Sequence, residues 1–137
     1  METKKLKLSN ADWVNVLKGL YAVQELPGLK FALLVAKNTR ILKEELNDLE
    51  EVAKPEEKFQ ALSQEVAKLD NDPDREEKLK KIEKENKSLI DQRNKQMAEL
   101  KKLMDVEVEI EMYTITEDLL SEQITASQLN GIFPILE

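Results

Sequence analysis

The chain has no cysteine and no histidine among its 137 residues. Disulfides and thiol chemistry are thereby excluded. With histidine go the commonest general base and the commonest metal ligand. Three glycines are too few and too scattered for a phosphate-cradling loop, and there is no Gly-x-Ser-x-Gly elbow for a nucleophile. Four prolines leave long stretches without a breaker, and only one Trp, two Tyr and three Phe supply aromatic bulk. The longest apolar run, Phe31 to Ala36, is far too short to span a bilayer. The opening METKKLKLSN lacks the apolar core of a signal peptide. These absences read together as a soluble, cytoplasmic protein without cofactor or small-molecule substrate.

Charge is what the chain has in plenty. Asp, Glu, Lys and Arg make up 36% of it, with 28 acidic and 21 basic residues and a net charge of −7. A net acidic chain repels phosphate backbones, which argues against nucleic acid, and nothing marks a membrane surface. Such a charge fraction with few aromatics suits long two-sided helices carrying a narrow apolar seam. By length the chain is a single domain, 1–137.

One stretch breaks the helical pattern. In DVEVEIEMYTI, Val106, Val108, Ile110 and Met112 alternate with Glu107, Glu109 and Glu111. That is a strand, and its partner is KKLKL near the start. Leu6 and Leu8 would join Val106, Val108 and Ile110 on an inner face. Lys5 and Lys7 would stand beside the three glutamates on the outer face, each opposite-charge pair contributing roughly 0.2–1 kcal/mol. Past Met112 the parity puts Tyr113 and Ile115 on the glutamate side unless a bulge intervenes. The strand pairing is a structural role; the glutamates are at most an interaction surface.

The rest reads as helix. SNAD, residues 9–12, is a capping box opening helix 1, whose apolar positions are Val14, Leu17 and Tyr21 flanked by Trp13 and Leu20. Leu26-Pro27-Gly28 ends it. Helix 2 begins apolar nearly all round, Leu29 to Ala36, so both of its sides should be covered, one by helix 1 and one by the sheet. Its seam narrows through Ile41, Leu42, Leu46, Leu49 and Val52. A break is expected at 52–55, with helix resuming at Pro55 and a seam of Phe59, Leu62, Val66 and Leu69. In DNDPDREE, Asp72 caps and Pro73 opens a third helix running to about Met104, interrupted on its apolar face by Asn86 and Arg93. Asn38 and Asn86 either fix register inside the seam or face solvent. TITEDLLSEQ is turn or short helix. TASQ, residues 125–128, caps a final short helix with Leu129, Ile132, Phe133 and Leu136 as its apolar face.

The expected fold is therefore mainly α with a small β element, α+β. A head with a two-stranded sheet (about 1–45 and 105–137) carries a long antiparallel helical hairpin, a coiled-coil arm over about 46–104. The sites for chemistry are few. Asp70, Asp72 and Asp74 have the spacing of an EF-hand opening, but no Gly stands at the sixth place and Lys81 replaces Glu at the twelfth. Glu107, Glu109 and Glu111 lie about 7 Å apart along one face, where exposed alternation explains them. The lysines from Lys78 to Lys87 are interleaved with glutamates and form a solvated helix face.

KLSNADWVNVLKGL, LPGLKFALLVAKNTRIL and the ending VEVEIEMYTITEDLL…ITASQLNGIFPIL resemble a family of small tailed-bacteriophage proteins. These share a short strand, a helix, a Leu-Pro turn, an AKN helix, and a Glu/Val strand followed by a short helix. The resemblance covers about residues 1–45 and 103–137. It implies a non-enzymatic role in particle structure or assembly, inside an infected host cell or in the virion, and carries over no functional residue. The alternative is a phage-encoded inhibitor or adaptor that meets a host protein through an acidic surface. A two-stranded sheet is marginal alone, so self-association into a homo-oligomer is expected, beside contacts with other phage or host proteins.

Overall fold

The structure is a computed structural model describing residues 2–137. It is mainly helical with one two-stranded antiparallel sheet, an α+β chain. Strand β1 (Thr3–Ser9) is followed by α1 (Asn10–Ala22), α2 (Leu29–Glu45), α3 (Asn47–Ala53), α4 (Glu57–Ala67), α5 (Arg75–Glu85) and α6 (Lys87–Met104). Strand β2 (Glu107–Tyr113), a 3-10 turn at Glu117–Leu119, α7 (Ala126–Gly131) and a second 3-10 turn at Phe133–Ile135 complete it. The chain divides into two compact units. One runs to Asp48 and includes Leu103–Glu137; the other is Leu49–Lys102.

In the first unit β1 and β2 are in continuous register, with Leu6 opposite Ile110, Leu8 opposite Val108, Lys5 opposite Glu111 and Lys7 opposite Glu109. No bulge interrupts Met112 and Tyr113. The inner face packs on α1 and α2, whose core residues include Trp13, Val16, Leu20, Phe31, Leu34 and Leu42. The buried arc of α1 is Trp13, Val16, Leu17, Gly19 and Leu20. Tyr21, expected inside, lies partly out, with the Lys43 ammonium 5.4 Å from its ring centre. The arc that wins starts from Trp13 at i, i+3, i+4 and i+7, because the largest apolar side chain of the helix gains most from burial.

Local capping follows the sequence in part. Ser9 Oγ accepts the Asp12 amide at 3.1 Å, one half of the expected box. Both halves form at the other end: Gln128 N–H donates to Thr125 Oγ1 at 3.2 Å and Thr125 N–H to Gln128 Oε1 at 2.9 Å. Gly28, the residue before α2, has φ 118°, a region that side chains with a Cβ rarely adopt. Helix α7 runs antiparallel to α1: Gln128 Nε2 reaches the Ala22 carbonyl at 3.5 Å, and Gly131 lies against Gly19. The approach needs Gly19, since a Cβ there would stand 2.2 Å from the Gly131 carbonyl oxygen, while a Cβ on Gly131 would meet the Gly19 Cα at a tight 3.1 Å. Beyond α7 the expected apolar face shifts. Ile132 and Ile135 are fully buried while Phe133 turns outward, because Pro134 tightens the chain into a 3-10 turn. Ile115 is buried despite its glutamate-side parity. Its N–H donates to the Ile135 carbonyl at 2.9 Å and its carbonyl accepts from Glu137 N–H at 3.0 Å, a parallel bridge that covers this end of the strand.

The second unit is built of four helical segments, α3 to α6. The breaks at Pro55 and at the 68–74 turn fall where they were expected; the further break at Asn86 divides what was expected to be one helix to about Met104, and Leu62 is the one residue of this stretch among the core. Helix 2 also breaks earlier than expected, at Leu46. At Asn86, where α5 ends, the side-chain Nδ2 donates to the Ile82 carbonyl at 2.9 Å and shares that acceptor with the residue's own backbone N–H at 3.0 Å. Arg93, an interruption of the apolar face in sequence, has a definite task. Its Nη2 donates to the Ala53 carbonyl at 2.8 Å, satisfying a group orphaned where α3 ends before Pro55, and its guanidinium lies 5.8 Å from the Phe59 ring centre. Asp72 does not cap a helix. Its Oδ1 accepts the Asp74 amide at 2.9 Å, closing an Asx turn, so Pro73 lies in the turn and α5 begins at Arg75. Its other oxygen accepts from Lys78 Nζ at 2.6 Å. That hydrogen bond, then the Asp74 amide, holds the Asp72 carboxyl below the usual range, and the same contact raises the Lys78 ammonium.

Candidate interaction surface

The residues named from sequence gather in the first unit around the sheet. Ile110 is 4% exposed, while Leu6, Leu8 and Val108 are half-buried, so the inner face is sealed best toward the Ile110–Met112 end. Val106 does not belong to the face. It is 49% exposed and precedes β2, spent on the exit from α6: its N–H donates to the Leu103 carbonyl at 3.1 Å. Asn10 fastens this exit twice, with its backbone N–H on the Val106 carbonyl at 2.9 Å and its side-chain Nδ2 on the Leu103 carbonyl at 2.8 Å.

Glu107, Glu109 and Glu111 are exposed on the outer face. The expected lysine partners are only partly engaged. Lys7 Nζ is 3.7 Å from Glu107, its diagonal neighbour, rather than from Glu109 opposite. Glu111 accepts instead from the Thr3 hydroxyl at 2.7 Å. Both members of the Lys7 pair are more than half exposed, so the bond adds little, and strand twist is enough to favour the diagonal. Among the described residues no group of three His, Cys, Asp or Glu side chains is placed to hold a metal ion, and no helix is long and apolar enough to cross a membrane.

Two polar side chains hold the sheet from inside. The Trp13 indole N–H donates to the Val108 carbonyl at 2.8 Å. Asn38, fully buried, accepts the Tyr113 N–H on Oδ1 at 2.9 Å and donates from Nδ2 to the Tyr113 carbonyl at 2.9 Å. Its amide thus behaves as one peptide unit of a neighbouring strand and satisfies β2 where β1 does not. Of the two placements open for Asn38 in sequence, the buried one is realised, but its partner is a strand and not a helical seam. Asn86 is half-buried and bonded within its own helix.

Exposed apolar surface was missed from sequence. The outward side of α2 is not covered as expected: Leu29 is 87% and Leu33 43% exposed, and Ala32 and Ala36 beside them are open. Helix α1 and the sheet both pack on the inner side, through Phe31, Leu34, Val35, Asn38 and Leu42. The all-round apolar composition of 29–36 was the available signal. Phe133 is 67% exposed on the same unit. An open groove of about 410 Å³ runs along α2, floored by Ala32, Val35 and Ala36 and bordered by Gln24, Arg40 and Lys43. No protein-family model, no curated protein and no solved structure matches the chain.

Proposed function

We propose that the chain is a non-enzymatic protein that works through protein–protein contacts, in a structural or assembly role of the kind implied by its resemblance to small tailed-phage proteins. One observation carries the reading. The first unit closes a core around Trp13 and Ile110, yet leaves Leu29, Leu33 and Phe133 in solvent. Leu29 and Leu33 lie one turn apart on α2, and neighbouring apolar side chains left open in this way are stabilised when another surface covers them.

A photo-cross-linking residue at position 29, 33 or 133, introduced in the producing cell, tests this. A discrete adduct at these positions and none at the exposed control Glu65 is expected. No intermolecular adduct at any of the three refutes the reading. A second reading, an inhibitor or adaptor binding a basic host protein, is favoured by the open glutamate face of β2. It requires adducts at Glu109 instead.

A further inference from the structure

We infer that the outward face of α2 is the docking surface for an acidic amphipathic helix of another protein. The inference rests on the protein-contact reading above and names the partner's chemistry.

Residues 29–43 carry Lys30, Lys37, Arg40 and Lys43 and no acidic residue, in a chain whose net charge is −7. On a helix, Leu29, Ala32, Leu33, Ala36, Arg40 and Lys43 fall on one side by their i, i+3, i+4 and i+7 spacing. All six are exposed. The face is therefore graded: apolar over its first two turns, basic over its last two. From Leu29 to Lys43 it spans about 21 Å at the helical rise, room for a partner helix of about four turns. Ala32 and Ala36 at its middle lack bulk, and the groove they floor would seat a ridge of side chains. Lys43 is steadied over the Tyr21 ring, so one cation of the rim is already placed.

The basic residues decide the occupant. Two copies packed through this face in parallel would set Arg40 and Lys43 against themselves. Packed antiparallel, they would set them against Leu29 and Lys30. Neither arrangement satisfies both the leucines and the cations. An acidic helix with an apolar ridge satisfies both. A duplex nucleic acid has no use for the exposed leucines. An anionic bilayer would face the chain's net negative charge and would not enter a groove.

The probe is a labelled synthetic helix with leucines at i, i+3, i+4 and i+7 and glutamates flanking them, titrated against the full chain by fluorescence anisotropy. Saturable one-to-one binding is expected. Leu29→Gln with Leu33→Gln, and separately Arg40→Glu, should each weaken it at least about tenfold, with melting unchanged because these side chains are exposed. The same peptide with lysines for glutamates should bind at least about tenfold more weakly. Equal binding of the two peptides, or indifference to the variants, overturns the inference. So does a preference for phosphatidylserine vesicles or duplex DNA, or a dimer in light scattering that Leu33→Gln abolishes. Cross-links in the cell at Phe133 but none at Leu29 or Leu33 overturn it while leaving the protein-contact reading standing; none at any of the three removes both.

Discussion

Replacing Asn38 by Asp changes one atom and should cost several kcal/mol at neutral pH. The side chain is fully buried and bonds Tyr113 twice, at 2.9 Å each. In Asn38→Asp the carboxylate still accepts the Tyr113 N–H. The donor is gone, and a negative oxygen faces the Tyr113 carbonyl. An unmet buried acceptor costs about 1–3 kcal/mol. The uncompensated charge adds to that until the group takes up a proton instead. A loss of about 3–5 kcal/mol at pH 7 is a large part of a domain's stability, about 5–15 kcal/mol. It should lower the melting temperature by about 10–20 °C.

The pH dependence identifies the cause. Burial against a carbonyl raises the introduced carboxyl's folded pKa above its unfolded value of about 3.9. Below that value the group is protonated in both states, its O–H donates to the Tyr113 carbonyl, and the penalty disappears. As pH rises above it the unfolded chain ionises first, so stability relative to the unaltered chain falls until the folded pKa is passed. Asn38→Ala should instead be destabilised alike at both pH values. The assay is urea denaturation near pH 4 and pH 7, read by Trp13 fluorescence and referenced to the unaltered chain at each pH. Trp13 is fully buried and bonded to Val108, so it reports on the same sheet. A loss for Asn38→Asp that is the same at both pH values, or below about 0.5 kcal/mol at pH 7, would refute the clasp.

Three further outcomes are expected. Gly19→Ala, which in an open helix would stabilise slightly, should here destabilise by about 1–3 kcal/mol, because the new Cβ meets a carbonyl oxygen at 2.2 Å. Gly131→Ala, at 3.1 Å from the Gly19 Cα, should cost less, and calorimetry of the two variants checks the order. Ile110→Asp should unfold the first unit, whereas Val106→Asp, at a site 49% exposed, should change the urea midpoint little; equal losses would mean Val106 belongs to the inner face after all. The Asp72 carboxyl should titrate below an ordinary aspartate in carbon-detected NMR and move up toward it in Lys78→Met. The stability this pair gives is present above the unfolded Asp pKa and lost as pH falls through the folded one. On the Lys78 side it is lost as pH rises through that raised value.

Features that depend on neighbours along the chain were legible in the residues alone. Period-two alternation set which residues of KLKL and VEIEM share a face, because successive strand side chains point to opposite sides. Thr125 and Gln128 closed a box whose partners lie three residues apart. Gly28 and Pro55 marked the breaks that backbone geometry demands. Tertiary structure decided what depends on groups distant in sequence. Asn38 finds its partner 75 residues away, so its amide could have faced solvent equally well on local grounds. Arg93 looked like a flaw in an apolar stripe until the Ala53 carbonyl, 40 residues earlier, supplied its reason. Val106 obeyed the alternation, yet Asn10 holds it in the exit from α6. The outward leucines of α2 read as core because a helix apolar all round is usually covered. Helix α1 and the sheet both pack on its inner side, and that choice, which no local pattern encodes, is what leaves a basic, apolar face open to a partner.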